Sequence, residues 1–449
     1  MSVIARLTME KQKPKMYVLA VDMGYGHQRA AYPFLNSSFS GIINVNQYQG
    51  ISRREQESWQ SGRYWYELIS RFKSVPFLGK LAFGTMDYFQ KIEPFYPRRD
   101  LSKNSQQQLW FYKDVRHGLG KNLMAELNKH PLPLLTTFFV AAYAAEYHGY
   151  KGRIYCVVCD ADVARAWAPV DPKKSRIIYL APNKRVKERL MLYGVKSSNV
   201  FVTGFPLPKE NIGGRDQHII KNDLKARLFD LDPRGIYRKK YAKLIEDYLC
   251  PVSEIKKNRH PLTITFAVGG AGAQRDLGVV ILKRLQKFIH KNKLRLNLVA
   301  GSRNDVYTDF DRALKDCHLS NHPNARIIYA THKHDYFREF NKALRTTDIL
   351  WTKPSELTFY CGLGIPIIMS EPVGYQERYN RDWLLAMGAG IDSQDPRYVD
   401  EWLFDWLDSG WLAEAAIQGF MDAPKLGTYN IENIILHDKI TEIEDIHLL

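Results

Sequence analysis

Two glycine-rich loops, one in each half of the chain, constrain the fold more than any other feature of the sequence. The first lies within residues 16–31, MYVLAVDMGYGHQRAA, where an apolar run breaks into a glycine turn and then a helical segment. The second, VGGAGAQ at residues 268–274, also follows an apolar run. In such a unit, glycines allow close backbone approach and the amino terminus of the helix offers N–H groups to an anion. Two units of this kind predict two α/β halves, each with a candidate ligand-binding loop.

Short apolar runs alternate with helical patterns around both loops. Strands are predicted in the first half at residues 16–22, 41–46, 133–139, 153–159, 176–180 and 199–203, and in the second half at 262–268, 294–300, 325–328, 348–351 and 365–369. Strands separated by helices are joined by right-handed crossovers, which give parallel sheets covered on both faces. The predicted fold class is therefore α/β, with two doubly wound parallel sheets.

The length of 449 residues exceeds the size at which single cores stop growing, so two domains are expected. We predict an N-terminal α/β domain at 1–208, a helical connector at 209–260, a C-terminal α/β domain at 261–425, and a tail at 426–449 that packs on the N-terminal domain. Ligands of doubly wound sheets bind outside the carboxyl ends of the strands. The cleft between the two domains is therefore the expected binding site.

Lysine and arginine number 64 and acidic residues 48, which gives a formal net charge of +16. This balance favours an anionic partner, namely nucleic acid, an acidic lipid surface or a phosphorylated substrate. A nucleic acid is the least favoured of these, because the basic residues are scattered and no recognition motif is present. Residues 52–129 form an aromatic and basic insert, in which Arg63, Arg71, Lys73 and Lys80 alternate with aromatic side chains. Such a pattern fits either a helical core face or a lipid-facing surface.

The five cysteines are an odd number, and the first residues lack the apolar segment of a signal peptide, so we expect a cytoplasmic location. No run of 18 apolar residues is present, which leaves only peripheral attachment to a membrane. Cys156 and Cys159 have C-x-x-C spacing, but no second pair completes a zinc site, and core thiols are favoured. His318, His322 and their neighbours lack the spacing of metal ligands. No metal site is predicted.

Six segments, taken together, resemble a known family. They are DMGYGHQRAA at 22–31, VVCDADVARAWAPVD at 157–171, the stretch ending in GFPLP at 181–208, VGGAGAQ at 268–274, TKPSELTFYCGLGIPIIM at 352–369 and GYQERYN at 374–380. In this order they resemble glycosyltransferases of the GT-B architecture, which has two Rossmann-like domains facing across a cleft. The similarity is to monogalactosyldiacylglycerol synthases, processive diacylglycerol glucosyltransferases and MurG-type transferases.

The resemblance implies a donor site in the C-terminal half. Loop N–H groups there would stabilise the charge of the diphosphate leaving group, and side chains at the start of a helix would bind sugar hydroxyls. The donor-binding residues implied are Gly269, Gly270, Gly272, Ala273, Thr352, Lys353, Glu356, Thr358, Gln376, Glu377 and Asn380.

On the acceptor side, the resemblance implies His27 as the general base, within a loop that contains Gly24 and Gly26. Asp22 or Asp160 would orient or assist the histidine. The alternative for His27 is a packing or capping role at the start of the helix.

Three positions depart from the family pattern. The first loop has the sequence G-Y-G-H in place of three glycines and a histidine, and VARAW lacks the histidine that usually precedes the tryptophan. Cys361 occupies the position of the glutamate that binds the nucleotide ribose, and we expect Glu356 to substitute for it. These departures bear on the donor and the acceptor more than on the fold.

The resulting hypothesis is an inverting, metal-independent hexosyltransferase. It would move a sugar from a nucleotide diphosphate donor, expected to be a UDP-sugar, to a lipid or lipid-linked hydroxyl in glycolipid synthesis, at the inner face of a membrane and without a cofactor. Two alternatives stay open, namely a nucleotide-sugar 2-epimerase and a non-catalytic ligand-binding descendant of the same fold.

Overall fold

The computed structural model of the chain describes residues 15–59, 92–256, 260–269, 272, 274–372 and 374–439. Most of the basic insert, including Arg63, Arg71, Lys73 and Lys80, lies outside the described residues, as do Gly270 and Ala273 of the second glycine loop.

The first half contains a six-stranded sheet in which every neighbouring pair of strands is parallel. Its strands are β1 (Met16–Ala20), β2 (Ser38–Asn44), β3 (Leu134–Thr136), β4 (Ile154–Val157), β5 (Ile178–Ala181) and β6 (Val200–Val202). The strand order is β2-β1-β3-β4-β5-β6, so the order reverses between β1 and β3. All residues of β1 are buried, as expected for a parallel strand covered on both faces.

The second half contains another six-stranded parallel sheet. Its strands are β7 (Leu262–Ala267), β8 (Leu294–Gly301), β9 (Ala325–Tyr329), β10 (Ile349–Thr352), β11 (Ile367–Met369) and β12 (Gly390–Asp392). They follow the order β12-β11-β10-β7-β8-β9, with the reversal between β10 and β7. The predicted class, α/β with two doubly wound parallel sheets, is confirmed. Strand β12 was not predicted, because three residues carry too little periodicity.

Helices cover the sheets. The described α-helices are α1 (Gly26–Ala31), α2 (Gln106–Arg116), α3 (Lys121–Leu127), α4 (Phe139–Tyr147), α5 (Lys184–Leu192), α6 (Lys209–Ile212), α7 (His218–Leu231), α8 (Ile236–Lys240), α9 (Ala242–Tyr248), α10 (Arg275–His290), α11 (Asn304–Asp316), α12 (Lys333–Leu344), α13 (Tyr375–Ala386), α14 (Val399–Ser409), α15 (Trp411–Asp422) and α16 (Gly427–His437).

Local sequence explains several helix boundaries. Ser105 and Asn183 cap α2 and α5, since their side chains accept hydrogen bonds from Gln108 N and Val186 N. The helical segment after the first glycine loop ends at Ala31, because Pro33 follows α1 and the chain continues as a 3₁₀ helix, Tyr32–Ser37. The strand predicted at 133–139 is shorter in the structure, where β3 spans Leu134–Thr136 and α4 begins at Phe139.

The C-terminal helix α16 contacts the first half of the chain. The Thr428 hydroxyl donates to Leu207 O at 2.5 Å, and Asn430 Nδ2 donates to Thr203 O at 3.0 Å. At Gly427 a Cβ atom would overlap the Phe205 carbonyl, so the close approach requires glycine. The domain boundaries at residues 208, 260 and 425 stay a prediction.

Two further properties concern the chain as a whole. Among the residues that the structure describes, no helix combines the length and the apolar character needed to cross a membrane. The five cysteines are all buried free thiols. Cys156 and Cys159 are therefore core thiols, which is the interpretation that the sequence favoured.

Candidate active site

The carboxyl edges of the two sheets face each other, and several hydrogen bonds and ion pairs join them. Hydrogen bonds or ion pairs link Tyr25 to Ser302, Asp22 to Lys333, Arg29 to Glu356 and Asp160 to Asn380. In each pair the first residue follows a strand of the N-terminal sheet and the second belongs to the C-terminal half. The loops after β1 and β4 therefore lie directly on the donor-side loops predicted from the sequence.

His27 lies at the start of α1, beside the point where the strand order reverses. Its Nδ1 is 2.6 Å from Thr137 O, and the Thr137 hydroxyl donates to His27 O at 2.8 Å. Because a carbonyl oxygen only accepts, Nδ1 carries the hydrogen and Nε2 keeps its lone pair. Phe138 and Trp167 pack around the ring, with centroids 5.0 and 6.3 Å away.

Burial lowers the pKa of His27 to about 4, although the Thr137 carbonyl and the Glu356 carboxylate both oppose this shift. The imidazole is consequently neutral at pH 7. A neutral ring with a fixed tautomer can accept a proton at Nε2.

Asp160 follows β4 and is held from the other half by Asn380. Asn380 Nδ2 donates to Asp160 Oδ1 at 3.1 Å, and Asn380 Oδ1 accepts Ala161 N–H at 2.7 Å. Burial raises the pKa of the Asp160 carboxyl to about 6, and the hydrogen bond from Asn380 opposes the rise. Both amide atoms of Asn380 thus bond to the loop after β4, and its predicted contact with a donor sugar stays a prediction.

Asp22 forms a hydrogen bond within the N-terminal half and an ion pair with the C-terminal half. Its backbone N–H donates to Asn46 Oδ1 at 3.0 Å, and its carboxylate forms an ion pair with Lys333. Gly24, two residues later, has φ +102°, a conformation that favours glycine, and its carbonyl accepts from Lys333 Nζ at 3.3 Å. Asp22 faces Lys333, and no hydrogen bond to His27 is present among the described contacts.

Glu356 lies at the cleft, and its ion-pair partner belongs to the N-terminal half. Its expected contact with the nucleotide ribose stays a prediction. Arg29 Nε donates to Glu356 Oε1 at 3.1 Å, and Arg29 Nη2 donates to the Tyr336 hydroxyl at 2.7 Å. A Cβ atom at Gly26 would lie 3.2 Å from Glu356 Oε2, so glycine allows this approach. Cys361 points elsewhere. It is fully buried in the core, where burial raises the pKa of its thiol.

The second glycine loop lies against Lys353. A Cβ atom at Gly269 would be 2.6 Å from Lys353 Cε, so glycine leaves room for the lysine side chain. Lys353 forms an ion pair with Glu377 in the first turn of α13. Gly272 has φ +73°, and its N–H donates to Gly269 O at 2.8 Å. These four residues converge at the reversal point between β7 and β10, where ligands of doubly wound sheets bind.

Two of the predicted donor residues, Thr352 and Thr358, make local hydrogen bonds. The Thr352 hydroxyl donates to Ala267 O at 3.3 Å and links β10 to β7. The Thr358 hydroxyl donates to Ser355 O at 2.8 Å and stabilises the turn that begins the 3₁₀ helix Glu356–Leu363. Gln376 is partly buried in the first turn of α13, beside Glu377.

Arg29, Tyr25 and Lys333 were missed by the sequence analysis. Arg29 is 3% exposed, and its guanidinium lies 4.5 Å from the ring centroid of Phe340. Its only sequence signal is its position two residues after His27. Lys333 carries no signal at all, because its partner Asp22 is 311 residues away in the chain.

A possible cation cluster lies away from the cleft. Ligand atoms of Asp230, His260 and Asp348 are within 4.8 Å of one another. His260 and Asp348 precede β7 and β10, at the edge of the sheet opposite the cleft. Asp348 has a structural role there, since its Oδ2 accepts Thr263 N–H at 2.7 Å and joins the starts of these strands.

Two doubly wound parallel sheets with facing carboxyl edges, and a histidine and a glycine loop between them, form the GT-B architecture. The chain is similar to the processive diacylglycerol beta-glucosyltransferase of Bacillus subtilis strain 168. The two are 20% identical over 384 residues, which cover 84% of this chain and 82% of the relative. The enzyme of the same name from Bacillus pumilus strain SAFR-032 is 19% identical, with the same coverage. The resemblance seen in the sequence motifs is thereby confirmed.

Solved structures and a family model give further matches. MurG from Acinetobacter baumannii is 12% identical, with a TM-score of 0.46 over 94% of this chain and 100% of that chain. UDP-GlcNAc 2-epimerase from Neisseria meningitidis, bound to UDP-GlcNAc, is 15% identical, with a TM-score of 0.45 over 94% and 98%. The model of a domain of unknown function, DUF6938, matches residues 251–430.

Proposed function

We propose that the chain is a hexosyltransferase that moves a sugar from a UDP-sugar to a hydroxyl group of a lipid or lipid-linked acceptor. The observation that carries this proposal is the position of His27. The histidine is neutral, its Nε2 is the proton-accepting atom, and it lies where the loops of both halves meet. The names of the two curated relatives support a diacylglycerol-type acceptor.

The reaction proposed is a direct displacement. The acceptor oxygen attacks the anomeric carbon of the donor sugar, and His27 Nε2 takes the hydroxyl proton. A new carbon–oxygen bond to the acceptor forms as the bond to the diphosphate breaks, and UDP leaves with the bonding electron pair. Attack from the face opposite the leaving group inverts the anomeric configuration. Asp160 would assist from the loop after β4 by forming a hydrogen bond to the acceptor or to the sugar.

The donor would lie over the loops after β7 and β10. Backbone N–H groups of the 269–273 loop and the Lys353 ammonium would stabilise the charge that grows on the diphosphate. Gln376 and Glu377, at the start of α13, would bind sugar hydroxyls. Glu356 would contact the nucleotide ribose only after its ion pair with Arg29 breaks, because the Glu356 carboxylate is paired with Arg29 of the N-terminal half in this structure. The proposed reaction uses no metal ion and no cofactor.

A lipid acceptor requires contact with a membrane surface, and we propose peripheral attachment at the cytoplasmic face. Helix α2 supports this proposal within the described residues. Leu109 and Trp110 are 40% and 55% exposed there, next to exposed Lys113 and Arg116. Apolar and aromatic side chains interleaved with cations are typical of surfaces that bind anionic lipid. No nucleic acid partner is part of the proposal.

The test combines binding and transfer with purified protein. UDP binding is measured by calorimetry, and transfer from UDP-glucose to dioleoylglycerol in mixed micelles is measured by product formation. Substitution His27→Ala should lower kcat by about 100-fold or more and leave UDP affinity within about twofold, because a general base contributes roughly 10²–10⁴-fold. His130→Ala is the matched control, since His130 is exposed and precedes β3 at the opposite edge of the sheet.

Four results would contradict the proposal. Absence of UDP binding would remove the donor, and unchanged transfer by His27→Ala would remove the base. Conversion of the UDP-sugar without any acceptor would favour the 2-epimerase alternative. Binding without any turnover would favour a non-catalytic protein.

A further inference from the structure

Tyr25 stands between Gly24 and Gly26 in the first glycine loop, and its side chain crosses to the other half of the chain. Its hydroxyl accepts the Ser302 N–H at 2.8 Å and lies 3.3 Å from Ser302 Oγ. The ring packs against Tyr336, with the centroids 5.0 Å apart. Only 7% of Tyr25 is exposed. A loop of the N-terminal half is therefore anchored in the C-terminal half.

The receiving position is shaped for this side chain. Gly301, the last residue of β8, has φ +68°, and a Cβ atom there would overlap the Tyr25 hydroxyl. Glycine is therefore required at 301 for two separate reasons, the backbone conformation and the space that the tyrosine fills.

A second contact holds the same loop from the same side. The Lys333 ammonium pairs with the Asp22 carboxylate and donates to Gly24 O at 3.3 Å. It also lies 5.6 Å from the centroid of the Tyr25 ring. The loop is thus held at both of its ends by the loop after β8 and by the start of α12.

Movement of Tyr25 would be transmitted to the histidine. The Tyr25 carbonyl accepts Arg29 N–H at 2.7 Å, which makes it part of the first turn of α1. His27 lies in that turn and is tied to its own half through Thr137 O. The imidazole is therefore fixed between an anchor in the N-terminal half and an anchor in the C-terminal half.

We propose that Tyr25 is a positioning residue for the transfer reaction. Its hydrogen bond to Ser302 N–H sets the distance between His27 and a donor bound to the C-terminal half. This inference rests on the proposed function. It implies that loss of the Tyr25 hydroxyl slows the transfer step and leaves the binding of UDP unaffected.

The test compares Tyr25→Phe with Tyr32→Phe. The control removes the same atom from a tyrosine whose ring also packs against α12, at Phe337 and His334. With UDP-glucose and dioleoylglycerol as substrates, Tyr25→Phe should lower kcat by about 10-fold, the effect of one hydrogen bond of about 1.4 kcal/mol. The Kd of UDP, measured by calorimetry, should stay within about twofold for both variants, and Tyr32→Phe should retain the wild-type kcat.

The outcomes separate this inference from the function on which it rests. If the wild-type chain transfers sugar and Tyr25→Phe keeps kcat within about twofold, the inference is overturned and the proposed function stands. A loss of UDP affinity that matches the loss of kcat would also overturn it, because the tyrosine would then act on donor binding. If the wild-type chain transfers no sugar, both proposals fail together.

Discussion

At the scale of single residues, burial shifts the pKa values of His27 and Asp160 in the cleft in opposite directions. It lowers the pKa of His27 from 6.5 to about 4 and raises the pKa of Asp160 from 3.8 to about 6. Both shifts disfavour the charged form of a side chain that is partly withdrawn from water. The site is therefore arranged to hold both groups neutral near pH 5, with the carboxyl ionised at neutral pH.

These shifts predict opposite contributions to stability. Between about pH 4 and about pH 6, folding releases a proton from His27, so its contribution to the free energy of unfolding rises with pH. In the same range folding takes up a proton at Asp160, so its contribution falls as pH rises. The two slopes offset each other in the wild-type chain. Asp160→Asn should make stability rise more steeply from pH 4 to 6, and His27→Gln should make it fall.

Urea unfolding at several pH values in this range measures both slopes. The amide oxygen that Asp160→Asn introduces can still accept the hydrogen bond from Asn380. The substitution therefore removes only the titratable carboxyl group. Equal slopes in the wild-type chain and both variants would contradict the assigned shifts.

At the scale of elements, α13 joins the loop after β4 through one side chain. Asn380 is fully buried and satisfies the Ala161 N–H, which has no access to water. Asn380→Ala should lower the free energy of unfolding by about 1–3 kcal/mol, because a buried donor is left without a partner.

Chemical denaturation checks this value. Asp382→Ala on the same helix is the control, since the Asp382 side chain is 65% exposed and its surface ion pair with Arg381 contributes about 0–1 kcal/mol. An equal decrease in the free energy of unfolding for the two variants would show that the Asn380 contact contributes no more than a surface ion pair.

In the 3₁₀ helix after β10, the sequence predicted which residue lies at the cleft but not the partner of that residue. Alignment by motif puts Cys361 where a ribose-binding glutamate is expected, and Glu356 was the predicted substitute. Glu356 does lie in the cleft, and Cys361 lies in the core. The pairing of Glu356 with Arg29 could not be predicted, because the two residues are 327 positions apart and the bond forms only when the two halves meet.

At the scale of the whole molecule, the net charge of +16 favours an anionic surface. We expect the protein to sediment with vesicles that contain phosphatidylglycerol, and to be released at about 0.5 M NaCl, where electrostatic attraction to the surface is screened. Vesicles of phosphatidylcholine alone are the control. Binding to both vesicle types that is insensitive to salt would contradict an electrostatic contribution.

The sequence by itself determined the two α/β halves, the two glycine loops and His27 as the residue of interest. Strand and helix periodicity, glycine turns and helix starts are local properties, and a single stretch of chain carries each of them. The tertiary structure alone decided what faces the cleft. Arg29, Tyr25 and Lys333 contribute through partners in the opposite half. Such pairs depend on how two separate sheets come together, and no local pattern encodes that arrangement.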